Sequence, residues 1–151
     1  MNGTIEPNEV ELVIRDRIAG LPTAQYGQGI TNPAWTETDT AGVLEVDNGE
    51  RAHLKYRVFV SSSPAARSQF ETALVVSRLV VEFLFRLRAG QEVADGRAAW
   101  VAAKDVRKVV MSHPDPRFSV VLVDAGRAYG DEDGEVRLIQ QAFDVTHELE
   151  V

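Results

Sequence analysis

Between Ala65 and Arg88 the chain carries Phe70, Leu74, Val75, Val76, Leu79, Val80, Val81, Phe83, Leu84, Phe85 and Leu87. The charges Arg67, Glu71, Arg78, Glu82 and Arg86 recur among them four or seven residues apart. That spacing predicts one long helix over Ala65–Arg88 with its charges on a narrow line. A surface helix shows an apolar stripe only a little over about 100° wide, and the arc here is wider than one sheet face covers. The excess has to meet either the other helices of a small domain or a second subunit. A membrane is the weaker account, because the charges are spread along the full length of the segment.

The rest of the composition narrows the class. With 151 residues and 44% hydrophobic content, the chain is expected to form a single domain, 1–151, burying about two-thirds of the surface its unfolded form exposes. It has no cysteine, which excludes disulfides, zinc–thiolate sites and cysteine nucleophiles. Met1-Asn2-Gly3-Thr4 lacks the basic and apolar regions of a signal peptide, and no apolar run reaches the roughly 18 residues of a membrane span. The expectation is a soluble protein that is intracellular where it is made. A net charge of -7 opposes a general grip on phosphate backbones, although an acidic wall suits a passage through which DNA slides without sticking.

Along the chain, Asn8 as N-cap and Glu11 as its capping-box partner open a predicted helix, Glu9 to Ala19, with Val10, Val13, Ile14 and Ile18 on its apolar stripe. Gly20 and Pro22 end it. Leu21 to Thr40 reads as a long exposed connection that contains Trp35. A strand over Val43–Val46 and the hairpin signal Asp47-Asn48-Gly49 lead to a second strand, in which Ala52, Leu54, Tyr56, Val58 and Val60 alternate with His53, Lys55 and Arg57. Ser61-Ser62-Ser63-Pro64 then supplies the cap of the long helix. Ala89 to Gly96 reads as a loop. Arg97–Ser112 has Trp100, Ala103, Val106 and Val110 at helical spacing, while Val106, Val109 and Val110 suit a strand equally well. His113-Pro114-Asp115-Pro116 stops it. Phe118–Asp124 reads as a strand, Asp131-Glu132-Asp133-Gly134-Glu135 as a turn, and Val136–Val151 as a long closing strand with Ile139, Phe143, Val145, Leu149 and Val151 on one face. The predicted class is α+β: a mainly antiparallel or mixed sheet of about four strands, with two or three helices packed mainly on one face.

Chemistry is hard to place in this pattern. His53, His113 and His147 stand alone, without a second ligand at metal-binding spacing, and His53 and His147 read as solvated strand residues. The acidic turn fails the calcium-loop pattern because Val136 and Ala142 occupy the required Gly and Glu positions. Gly27-Gln28-Gly29 lacks the third glycine and the strand-to-helix setting of a dinucleotide fingerprint. The serines before Pro64 lack the Gly-x-Ser-x-Gly elbow, and no carboxylate pair is singled out. The reading is therefore no enzyme, no metal and no cofactor. Trp35 and Trp100 are the best candidates for contact anchors, with core packing the alternative for each, and Trp35, Phe70, Leu74, Phe83 and Phe85 are the candidate subunit-contact residues. Asp131, Glu132, Asp133 and Glu135 form a candidate acidic patch facing a lumen or a partner.

The opening helix Glu9–Ala19, the polar loop, the strand Ala52–Val60, the long helix Ala65–Arg88 and the closing strand through Asp133-Gly134-Glu135-Val136 to Glu148 together resemble the tail terminator proteins of long-tailed bacteriophages. The Mu-like group is the most similar, with its closing strand following an acidic-glycine turn and ending near the C-terminus, as Phe143-Asp144-Val145-Thr146 does here. The long connection Leu21–Thr40 and the segment Arg97–Ser112 depart from that plan, which leaves a head–tail connector or tail-completion protein open. From another class, a small ligand-binding or hydrolase domain stays open. The resemblance implies a virion protein assembled in the host cytoplasm: a homo-oligomer, hexamer favoured, that caps the tail tube protein, stops its polymerisation and meets the head–tail connector. DNA would pass through without specific binding.

Overall fold

Pro7, inside the first turn, and a capping box between Glu6 and Glu9 start helix α1, Pro7–Ala19, so the N-cap is Glu6 and not Asn8. The computed structural model describes residues 3–21, 35–37, 53–62, 65–69, 72–112, 114–130 and 136–150. After α1 come strands β1 (Thr36–Glu37), β2 (Lys55–Ser62), β3 (Ala65–Gln69) and β4 (Thr72–Arg86), helix α2 (Glu92–Ser112), and strands β5 (Phe118–Gly130) and β6 (Val136–Glu150). The predicted strand Val43–Val46 and its hairpin turn lie outside the described residues, as does the turn 131–135.

One sheet holds all the strands in the order β1-β2-β4-β6-β5, with β3 paired to β4 beyond the end of β2. Apart from the two-residue parallel pairing of β1 with β2, every ladder is antiparallel. The longest runs without a register shift from Thr72↔Glu150 to Arg86↔Val136. The class is α+β, as the sequence predicts.

The long helix predicted over Ala65–Arg88 is instead the β3–β4 hairpin. Four is a multiple of two as well as close to one helical turn, so Arg78, Glu82 and Arg86 share a face in either geometry. On β4 that face points away from the helices. The odd-numbered residues Val75, Leu79, Val81, Phe83 and Phe85 are fully buried in the other direction. The β-branched content of the segment favours the pleated form. The apolar excess seen in the sequence is explained by a central strand flanked by β2 and β6, with Val80, Glu82 and Leu84 also shielded on its second face.

Both helices share one core with a single sheet face. Val10, Ile14 and Ile18 of α1, and Ala99, Ala102, Ala103, Val106 and Val110 of α2, cluster with Tyr56, Val58, Leu79, Val81, Phe83, Phe85, Ile139, Phe143 and Val145. The alanines of α2 let its backbone lie close to the sheet. Side chains then fix each helix in place. Glu11 Oε1 accepts the Val60 N–H at 2.8 Å, and Tyr56 Oη donates to the Arg15 carbonyl at 3.1 Å. Arg17 Nη1 donates to the Val110 carbonyl at 2.8 Å in the last turn of α2, a C-terminal position where a cation is favoured. In consequence α1 lies over the β2 end of the sheet and α2 over the β5 end.

Candidate functional site

Trp35, Phe83 and Phe85, expected at a subunit contact, are buried in this chain's own core. Trp35 meets Phe83 and Tyr56 edge-to-face, with centroids 5.2 and 6.2 Å apart. Leu74 is half-buried on the face of β4 opposite the helices. Phe70 and the patch Asp131, Glu132, Asp133 and Glu135 lie outside the described residues, as does His113.

The exposed apolar residues are elsewhere. Trp100, Val101, Val93 and Met111 of α2 are 41%, 59%, 70% and 46% exposed. Trp100, expected as a contact anchor with core packing as the alternative, is exposed and lies across β5. A Cβ at Gly126 would come within 2.9 Å of its ring, and Gly126 has φ +148°, so only glycine fits there without strain. Val121 and Val123 of β5 are 60% and 45% exposed. Among the described residues no strand pairs with the outer side of β5. Its register shifts twice between Leu122 and Arg127, which leaves the Phe118–Leu122 half as the regular edge. Toward the other end of β5, where Gly130 pairs with Arg137, Glu92, Val93, Gly96, Arg97, Trp100 and Arg137 line a shallow open depression of about 390 Å³.

Two buried polar clusters were not legible as such. His147, expected to be solvated, is fully buried: Nδ1 donates to the Ile5 carbonyl at 2.8 Å, and Nε2 accepts the hydroxyl of buried Ser77 at 2.6 Å. The tautomer follows because a carbonyl can only accept. Burial pushes the His147 pKa down, against the opposing pull of the Ile5 carbonyl and Glu6. A serine hydroxyl on an imidazole is a nucleophile arrangement, but both partners are sealed from solvent, and the trio instead ties the N-terminal segment to β6 and β4. The parity of Phe143 and Val145 is the signal that placed His147 inside.

His53, expected on a polar face, is also buried. Its Nδ1 accepts the Arg86 N–H at 3.0 Å, and its ring meets Phe85 edge-on at 4.5 Å. Burial, then the Arg86 cation, lowers its pKa to about 4. Next to it, fully buried Asp95 accepts from Arg88 Nε, Nη2 and backbone N–H at 3.0, 2.8 and 2.8 Å. Burial pushes the Asp95 carboxyl up, but the three Arg88 bonds and the nearby cations outweigh it and hold the pKa below the usual range. A hydrolase site would gather a histidine with two carboxylates; His53 has Asp95 nearby, and Arg88 occupies that carboxylate.

Among the described residues no group of three His, Asp or Glu side chains is placed to hold a metal ion, and no helix is long and apolar enough to cross a membrane. No protein-family model and no curated protein matches this chain.

Proposed function

We propose that this chain is a structural subunit of a phage virion, a ring-forming tail terminator that caps the tail tube, stops its polymerisation and joins the head–tail connector. The observation that carries this reading is the β5 end of the molecule. On β5, Val121 is exposed on the sheet face away from the helices, where it pairs with Asp144, and Val123 is exposed at the register shift; on the helix face α2 exposes Trp100, Val101 and Met111. Apolar groups exposed on both sides of an unpaired edge suit burial against another protein surface. The fold order adds support. The opening helix, the strand β2 and the closing strand on which the terminator resemblance rests are present, whereas its long helix Ala65–Arg88 is the β3–β4 pair of strands.

Assembly and role are tested separately. Light scattering and electron microscopy of the purified chain are expected to show rings, hexamers favoured, with a central passage of about 20 Å or more for duplex DNA, judged from its groove dimensions. A strictly monomeric species at every concentration would count heavily against the reading. Deleting the gene from its phage is expected to give overlong tails. Leaking heads with tails of normal length would point instead to a connector.

A further inference from the structure

The two helices lie side by side on one sheet face, α1 toward β2 and α2 toward β5, and present complementary exposed stripes. On α2, Val93, Arg97, Trp100, Val101, Lys104 and Lys108 recur at helical spacing and are all exposed. No ion pair among the described residues engages Arg97, Lys104 or Lys108. Asp105 lies at the margin of the stripe, and the Glu92 carboxylate accepts the Gly90 N–H at 3.0 Å. This is a cationic, tryptophan-bearing surface on a chain of net charge -7. On α1, the exposed stripe is Glu9, Leu12 and Asp16, with Leu12 51% exposed between the two carboxylates.

Since α1 covers the β2 end and α2 the β5 end, a head-to-tail arrangement brings the α2 stripe of one copy to the α1 stripe of the next. We infer that the occupant of the α2 stripe is the α1 stripe of a second copy of this chain, Arg97, Lys104 and Lys108 facing Glu9 and Asp16, with Leu12 packed against Trp100 and Val101. This rests on the ring reading and specifies its interface. In the ring reading the contact is heterologous, the α2 stripe of one copy meeting the α1 stripe of the next, so repetition continues in one direction until rotation closes a ring. Opposite charge fixes the register, and the apolar residues between the charges bury the area. A second copy is favoured over nucleic acid because the matching acidic, leucine-bearing stripe is on this same chain.

The test is charge reversal. One variant carries Arg97→Glu, Lys104→Glu and Lys108→Glu; the other carries Glu9→Lys and Asp16→Lys, with Asp16→Lys alone as a control because Glu9 also closes the capping box. Thermal melts check folding. Each full variant alone is expected to weaken self-association by about tenfold or more. An equal mixture is expected to recover it to within about twofold of the original chain, because each interface then pairs opposite charges again. The inference is overturned if the original chain is monomeric at all concentrations, if rings tolerate both reversals, or if mixing fails to rescue. It is also overturned if the α2 reversal leaves rings intact and abolishes only retention of a duplex DNA probe. Rings indifferent to these charges would leave the terminator reading standing, whereas charge-governed rings without a tail-length phenotype would sink that reading and keep the interface.

Discussion

Lowering the pH from 7 to 4.5 should destabilise the fold chiefly through His53. In the native state its Nδ1 accepts the Arg86 N–H, so the neutral ring carries its proton on Nε2. Adding a second proton at Nδ1 removes that acceptor. It also places a cation among Arg86 and Arg88, with Asp95 as the opposing charge. The pKa falls from 6.5 in the unfolded chain to about 4 in the native one, so the unfolded state binds more protons throughout that window. Stability is therefore full above pH 6.5, declines as pH falls, and levels off below about 4. The whole shift corresponds to about 3 kcal/mol, of which about 2 kcal/mol is lost by pH 5. His147 is depressed too and adds to the same window, so the assay must be differential. Urea unfolding of the original chain and of His53→Asn, which keeps a short acceptor for the Arg86 N–H, should be compared from pH 7 to 4.5. The variant starts lower at pH 7 and loses less on acidification, and the two curves converge by about 2 kcal/mol at pH 5. Curves that stay parallel over this range would refute the assignment.

Two further substitutions probe packing. Asp95→Ala removes the fully buried carboxylate that the Arg88 guanidinium binds bidentately, and is expected to cost about 3–5 kcal/mol in urea denaturation; a loss below about 1 kcal/mol would show that the pair contributes no more than a surface salt bridge. Gly126→Ala places a Cβ 2.9 Å from the Trp100 ring at φ +148° and is expected to cost about 1–3 kcal/mol with a shift in tryptophan emission. Pairing it with Trp100→Ala should recover the steric part and leave the backbone strain.

The class, α1, the β2 alternation and the two closing strands could be read from local pattern, because each has a period that excludes the other geometry or a firm stop such as Gly20-Leu21-Pro22; Arg97–Ser112 suits helix and strand equally, and its helix starts at Glu92, inside the stretch read as a loop. Segment 65–88 could not. A central strand is apolar on both faces, and its remaining charges at 78, 82 and 86 satisfy periods of 2 and 3.6 together. What separates the two is β-branching and the partner strand: Glu82 faces Arg57 across β2 and Gln140 across β6, and Arg78 faces Asp144 at 2.7 Å. Those pairs are remote in sequence. The same remoteness hid the polar core, since nothing local to His147 announces Ser77 or the Ile5 carbonyl. The aromatics divided for a related reason: large aromatics serve cores and contacts equally well, and only the fold shows that Trp35, Phe83 and Phe85 are covered and Trp100 is not.

Side-chain bonds that reach between elements also bear on assembly. A head-to-tail contact closes into a ring of fixed size only if the rotation from one copy to the next is fixed, and in the proposed ring that rotation would depend on how α1 and α2 are held side by side on one sheet face. Glu11 and Tyr56 hold α1 on β2, Arg17 ties α1 to the end of α2, and Gln141 Nε2 donates to the Ala103 carbonyl from beneath α2 at 3.1 Å. Arg107 Nη1 reaches from α2 to the Ala125 carbonyl of β5 at 2.9 Å. Each bond joins a side chain to a backbone atom of another element, so it resists sliding as well as separation. An assembly subunit with loosely seated helices would polymerise at variable angles and give open or mixed-size products. Weakening one of these ties, as Arg107→Ala does, should therefore broaden ring size before it abolishes association, and a uniform ring population from that variant would mean that closure is set elsewhere.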